Sequence, residues 1–265
     1  MSILSEILSN KRKELKRSVA AVSLETMKKA ARSLPRKRRA LSKALRASRA
    51  IAVIAEIKRR SPSKGLLRKD FEPARIAKQY ERGGASALSV LTDKKYFGGA
   101  PEFIARVKRV TRLPVLRKDF ILDEYQVYES RLLGADAILL IARALTPGKM
   151  RRLYRIATEL GLDTLFEVHD EAELKKVLPL KPEIVGVNNR DLCSFKVSLD
   201  VSARLSRRIP KQVLFVSESG IGSAEDLRAV RSFGAHAVLV GESLIREKNP
   251  GQALKRLLGG SRGTR

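Results

Sequence analysis

A single (β/α)8 barrel, an α/β fold of the TIM type with an N-terminal helical extension, is predicted by three features of this 265-residue sequence. From Ile51 onward, eight short apolar runs alternate with charged stretches of helical period, the pattern of parallel βαβ units. Three of the runs follow Gly-Ala, at Gly84-Ala85, Gly134-Ala135 and Gly234-Ala235, where a helix ends on a left-handed glycine and a strand starts soon after. The first run leads into EIKRRSPSKG, whereas an open dinucleotide-binding sheet needs a GxGxxG turn there. Eight units suit a closed barrel, which usually takes about 250 residues.

Residues 1–50 are expected to form the helical extension capping the barrel, 51–258 the barrel, and 259–265 a short basic tail. Ile3, Leu4, Ile7, Leu8 and Leu15 give residues 2–19 an amphipathic helical pattern, and Leu24, Met27, Ala30, Ala31 and Leu34 give a second helix that Leu34-Pro35 ends. Arg36 to Ala50 is strongly basic and is expected to be helical, closing one end of the barrel.

The expected strands are Ala52–Lys58, Ala87–Thr92, Val115–Lys118, Ala137–Ile141, Thr164–Val168, Ile184–Asn188, Val213–Ser217 and Ala237–Gly241. Their Val and Ile content fits strands covered on both faces. Between them, helical patterns run over Pro73–Arg82, Pro101–Val110, Glu124–Leu133, Pro147–Leu160, Glu171–Leu178, Val201–Ser206 and Ala224–Phe233.

Composition narrows the function classes. The chain is 43% hydrophobic and 31% charged, proportions that support a proper core. Cys193 is its sole cysteine, so neither an internal disulfide nor a thiolate metal cluster can form, and a reducing compartment fits. His169 and His236 are the only histidines, too few for a histidine-rich metal centre; both are expected to be structural. No apolar run reaches the ~18–20 residues that span a bilayer, and no signal-peptide pattern opens the chain. A cytoplasmic location without a membrane partner is the expectation.

The net charge of +27 invites a nucleic-acid reading. The charge is dispersed, however: residues 1–50 carry 15 Lys and Arg against 3 Glu, a net +12 that leaves +15 for the remainder. Aromatic residues are 5% of the chain and tryptophan is absent, which argues against a base-stacking platform. The expectation is a basic surface that draws in anionic small molecules, with nonspecific polyanion binding as a side effect and no specific nucleic-acid partner.

In a parallel barrel the chemistry gathers where strands end. Glu56 and Lys58 are two apart at the end of the first run and share a face. Lys118 ends the third run, Glu167 the fifth, and Asn188 with Arg190 the sixth, followed by Glu218-Ser219-Gly220 and Gly241-Glu242-Ser243. Two lysines and two glutamates at one mouth shift each other's pKa and can divide acid and base work. The glycine-bearing ends of the last two runs suit a phosphate cradle, with Ser61 and Lys64 on its third side.

The strings IAEIKRRSPSKG, LRKDFILDEYQVYE, LFEVHDEAEL, GVNNRDL, VSESGI and AVLVGESL, in this order, closely resemble the indole-3-glycerol-phosphate synthase family. The resemblance covers almost the whole chain from about Ile3. It implies ring closure, decarboxylation and dehydration of 1-(2-carboxyphenylamino)-1-deoxyribulose 5-phosphate in tryptophan biosynthesis, by a carboxy-lyase with no metal or organic cofactor. By resemblance Lys118 is the general acid at the substrate carbonyl, Glu167 the partner for later proton transfers, Lys58 a second acid, and Glu56 its positioning partner. Asn188, Arg190 and Ser219 match substrate-binding positions, and Ser61, Gly220, Gly241 and Glu242 phosphate-binding ones, Glu242 through its main chain. Loop position suggests Phe97, Phe120 and Ile141 as the apolar wall for the anthranilate ring. The implied partner is a small phosphorylated substrate, and either a monomer or a homodimer fits. Two rivals are a phosphoribosylanthranilate isomerase-like barrel, which shares the cradle but lacks this lysine pattern, and a polyanion-binding barrel without turnover.

Overall fold

The computed structural model describes residues 3–35, 39–48, 50–191 and 195–259. Cys193, the Arg36–Arg38 stretch and the basic tail from residue 260 lie outside them. Eight parallel strands close on themselves: β1 (Ala52–Ile57), β2 (Ala87–Leu91), β3 (Val115–Lys118), β4 (Ala137–Ile141), β5 (Asp163–Val168), β6 (Ile184–Asn188), β7 (Leu214–Glu218) and β8 (Ala237–Val240). β8 pairs with β1 in the register Ala52↔Ala237 to Ala55↔Val240, which seals the ring. The barrel is therefore the one the strand-and-helix rhythm predicts.

Side chains from alternate strand positions divide the core in two. Val53, Ala55, Val90, Leu140, Phe166 and Val187 face outward and pack beneath the helices. Ile54, Leu116, Leu139, Leu165, Ile184, Leu214 and Val216 fill the interior. Polar side chains cap the barrel helices. Asp123 and Ser223 each close a capping box, with Gln126 and Asp226, so first-turn amides that would otherwise be unsatisfied are bonded.

The extension brackets the barrel from both ends. Helices α1 (Ile3–Ala21), α2 (Leu24–Ser33) and α3 (Leu41–Arg46) precede β1. β1, β2, β4 and β8 each begin with alanine, and Leu41 and Leu45 of α3 fill the space those small residues leave at the strand N-termini. The expected helix over 36–50 is thus six residues long among the described positions. Asp136 accepts from Arg39 N and Asp163 from Ser42 N, so strand-end carboxylates hold the segment in place. α1 lies at the opposite end, over the strand C-termini, where Tyr96 Oη donates to Glu6 (2.9 Å) and Lys11 is buried against Asp93 and Asp119. Among the described residues no helix is long and apolar enough to cross a membrane.

Candidate active site

Strand parity builds the site. Inward positions run Ala52, Ile54, Glu56 on β1, Leu116, Lys118 on β3, Leu165, Glu167 on β5, Ile184, Gly186, Asn188 on β6, and Leu214, Val216, Glu218 on β7. The lower layers are apolar and the uppermost is ionisable, so the lysines and glutamates stand on a dry floor. Two glycines make room for the acids: a Cβ at Gly186 would lie 2.1 Å from Glu218 Oε1, and one at Gly241 would lie 2.5 Å from Glu56 Oε1. Any larger residue there would collide with a carboxylate.

Lys118 is the hub. Its Nζ lies 2.7 Å from Glu218 Oε2 and 3.1 Å from Glu167 Oε2. Asn188 Nδ2 reaches Glu167 Oε1 at 3.3 Å, and Lys58 Nζ donates to Glu56 Oε1 at 2.5 Å. Asn188 Oδ1 accepts from Ser219 Oγ (2.9 Å) and from Arg190 N (3.0 Å), which orients its amide toward Glu167. Ser219 adopts φ 66°, a left-handed conformation that costs a non-glycine residue about 1 kcal/mol or more and is typical of functional sites.

The charges are set by their neighbours. Burial works against a charged Lys118, but Glu167, Glu218 and Glu56 outweigh it and hold the ammonium protonated more firmly than an ordinary lysine. Burial likewise opposes ionised Glu167 and Glu56; Lys118 and His169 bring Glu167 below the usual carboxylate range, and Lys58 with Lys118 does so for Glu56. Glu218 goes the other way. Its burial, with Glu167 and Glu56 adding repulsion, overcomes Lys118 and lifts the carboxyl to about 7. Its Oε1 is buried without a hydrogen-bond partner. Two carboxyls whose environments push them apart can serve as acid and base at neutral pH.

All the expected site residues line one cavity: Lys118, Glu167, Lys58, Glu56, Asn188, Arg190, Ser219, Phe97, Phe120, Ile141, Ser61, Gly220, Gly241 and Glu242. Phe97 and Phe120 stand with ring centroids 5–7 Å apart, at 6.1 Å, and form one wall with Ile141. Ser61 Oγ is buried with no partner. Ser243 Oγ donates to Ile221 O (2.9 Å) and ties the two glycine-bearing loops together. Lys64 is exposed and lies outside the lining, so the first loop contributes Ser61, Pro62 and Ser63 instead. The Glu242 side chain is also engaged, 3.4 Å from Arg190 Nη2.

Sequence reasoning missed two contributors. Glu218 stood at the mouth within Glu218-Ser219-Gly220 but was given no role; the parity of Leu214 and Val216, extended by one step, turns it inward onto Lys118. Ile3, Leu4 and Ile7 of α1 also line the cavity, a placement that amphipathicity alone does not give.

A family model for indole-3-glycerol phosphate synthase matches residues 4–257. Proteins named indole-3-glycerol phosphate synthase from Chromobacterium violaceum and Geobacillus kaustophilus are each 48% identical, over 258 and 259 residues, covering 96% and 97% of this chain and 97% of each relative. Among solved structures, thiamine phosphate pyrophosphorylase from Pyrococcus furiosus matches with TM-score 0.61 at 15% identity, over 79% of this chain and 94% of that one. An N-acetylmannosamine-6-phosphate 2-epimerase from Clostridium perfringens matches with TM-score 0.58 at 18% identity, over 78% and 92%; likenesses this remote speak to the barrel alone. With its motifs matched along nearly its full length, the chain belongs to the indole-3-glycerol phosphate synthase family, carboxy-lyases of tryptophan biosynthesis.

Proposed function

We propose that the family's reaction runs in the cavity around Lys118, with Lys118, Glu167, Lys58, Glu56 and Glu218 moving or holding its protons. The substrate is 1-(2-carboxyphenylamino)-1-deoxyribulose 5-phosphate. Ring closure joins the carboxylate-bearing ring carbon to the ketone carbon, and the ketone oxygen takes up a proton. Carbon dioxide leaves, that hydroxyl departs as water, and a proton is lost as the indole forms.

Each step needs a group that the cavity offers. The Lys118 ammonium is held charged between Glu167 and Glu218, so it stabilises negative charge growing on the ketone oxygen and delivers the proton there. Glu218, whose burial and carboxylate neighbours raise it to about 7, suits the donor that lets the hydroxyl leave as water. Glu167, held ionised, suits the acceptor of the final proton, with Asn188 fixing its orientation. Lys58, locked on Glu56, provides a second cation for the anthranilate carboxylate or the departing hydroxyl. The apolar floor and the Phe97, Phe120 and Ile141 wall favour loss of a carboxylate to neutral carbon dioxide.

The phosphate belongs at the Ser61, Gly220, Gly241 and Glu242 side, where Ser61 Oγ lacks a protein partner. Arg190 sits between this side and Asn188 and suits the substrate's polar groups together with Ser219. The observation that carries the assignment is the bridging of two buried carboxylates by Lys118 in a cavity with an aromatic wall. Turnover of the carboxyphenylamino substrate, followed by indole absorbance, tests it. Wild-type protein should form indole-3-glycerol phosphate, and Lys118→Ala should be slower by about 10²–10⁴-fold while remaining folded. Near-normal turnover by Lys118→Ala would remove Lys118 from the chemistry.

A further inference from the structure

His169 is a buried titratable group that the steps above leave unused. It stands two residues after Glu167, on the same face, at the end of β5. Its Nδ1 lies 3.0 Å from Glu173 Oε2, and the same oxygen accepts from His169 N at 2.9 Å. Glu173 is fixed in turn: Arg143, in the turn after β4, bonds its other oxygen, and its own backbone N donates to Asp170 Oδ1 at 2.8 Å. Arg143 also reaches Asp170 Oδ2 at 3.0 Å. The ring is thereby clamped with Nε2 3.4 Å from Glu167 Oε1, an ion-pair distance, and without a hydrogen-bond partner.

That geometry constrains the protons. With the Nδ1 proton held by Glu173, a neutral ring leaves an unprotonated Nε2 beside a carboxylate, whereas a cationic ring places positive charge 3.4 Å from it. Burial and Arg143 disfavour the cation; Glu173 and Glu167 favour it and prevail, so the imidazole lies above its ordinary value. Glu167 and Asp170 from the strand end and cap, Glu173 from the following helix and Arg143 from the β4 turn face the ring, with Lys118 of β3 beyond Glu167.

We propose that His169 is a positioning residue for the reaction: clamped by Glu173 and Arg143, its imidazolium holds Glu167 turned toward Lys118. The inference rests on Glu167 being the proton acceptor. As pH rises through the His169 midpoint the cation is lost; Glu167 stays ionised but loses the neighbouring charge that holds it in place, and kcat falls on the alkaline side.

Histidine-selective NMR on the full chain tests this directly, because the second histidine, His236, is assigned by His236→Gln. His236 lies at the far end of the barrel and burial shifts it in the opposite direction. His169 should carry both ring protons at pH 6.5, and Glu167→Gln should lower its midpoint by about one pH unit. His169→Gln should lower kcat about tenfold, leave KM within about twofold and abolish the alkaline fall in kcat. A His169 that is neutral at pH 6.5, or a kcat profile unchanged in His169→Gln, overturns the inference; if that variant does not fold, the wild-type titration still decides. Full turnover by Glu167→Gln would instead bring down the role of Glu167 itself, and the inference with it.

Discussion

Arg117 and Lys118 are adjacent on β3, both cationic and both among carboxylates, yet parity sends them to opposite faces with opposite consequences. Arg117 points outward and is 3% exposed. It bonds Asp119 (3.1 Å), Glu129 (2.7 Å), Thr92 and Ser130. Asp119 then meets Lys11 of α1 (2.9 Å), which also holds Asp93 and Glu14. Hydrogen bonds fill the guanidinium, and the network ties α1 and the β2 and β3 loops to the barrel. Lys118 points inward to a cluster that opens on the cavity: Glu218 Oε1 lacks a hydrogen-bond partner there, and burial raises its carboxyl to about 7. Asp93 Oδ2 of the outward network is also buried without a hydrogen-bond partner, so neither burial nor unspent valence marks a cluster as catalytic; what sets the inward one apart is that Lys118, Glu167, Glu56 and Glu218 all line the cavity.

The largest effect that would sharpen this contrast is on the inward cluster. Glu167→Gln should cost about 10²–10⁴-fold in kcat with little change in thermal unfolding, measured by turnover and calorimetry. On the outward side Lys11→Met strands Asp93 and Asp119, and breaking a buried pair this way costs about 3–5 kcal/mol, readable by urea unfolding. Because Ile3, Leu4 and Ile7 of the same helix line the cavity, KM should rise as well.

The clusters should also titrate with opposite sign. Asp119 is held at about 2 by Arg117 and Lys11 against its burial, so its contribution is complete above the unfolded carboxyl value and is lost as pH falls through about 2. Glu218, raised to about 7, binds its proton more tightly folded than unfolded. It penalises stability above pH 7, and the penalty fades as pH drops from 7 toward the unfolded value near 4.5. Glu218→Gln should therefore stabilise the protein at pH 8 and lose that advantage by pH 5 in parallel urea titrations; an advantage that grows on acidification would contradict the assignment. The smallest effect belongs to Tyr96→Phe, which removes one hydrogen bond to Glu6 and should cost about 0.5–1.5 kcal/mol with kcat unchanged.

Much of this was legible in the sequence because parallel strands repeat one rule: apolar residues inside, chemistry at the C-terminal end. Glu56, Lys58, Lys118, Glu167 and Asn188 follow from it. Glu218 was placed at the mouth but given no role, because its closeness to Lys118 of β3 arises only when the barrel closes. The surroundings of His169 were hidden because Glu173 and Arg143 come from a different helix and turn and meet it only in the fold. The position of α1 over the mouth was equally hidden: its docking depends on Lys11 finding Asp93 and Asp119, contacts that span more than a hundred positions of sequence in the second case. The six-residue α3 was overestimated because a basic Ala- and Leu-containing stretch has helical propensity throughout, whereas its packing against the strand alanines selects only Leu41–Arg46.

The most direct measurement pairs the two neighbours: kcat and the urea-unfolding free energy of Arg117→Met and Lys118→Met, side by side with wild type. The account predicts a crossed result. Arg117→Met loses about 3–5 kcal/mol of stability while its folded fraction turns over at close to the wild-type rate, and Lys118→Met loses less stability, because the stranded Glu218 takes up a proton, while kcat falls by about 10²–10⁴-fold. Turnover surviving in Lys118→Met, or disappearing in a stable Arg117→Met, would contradict it.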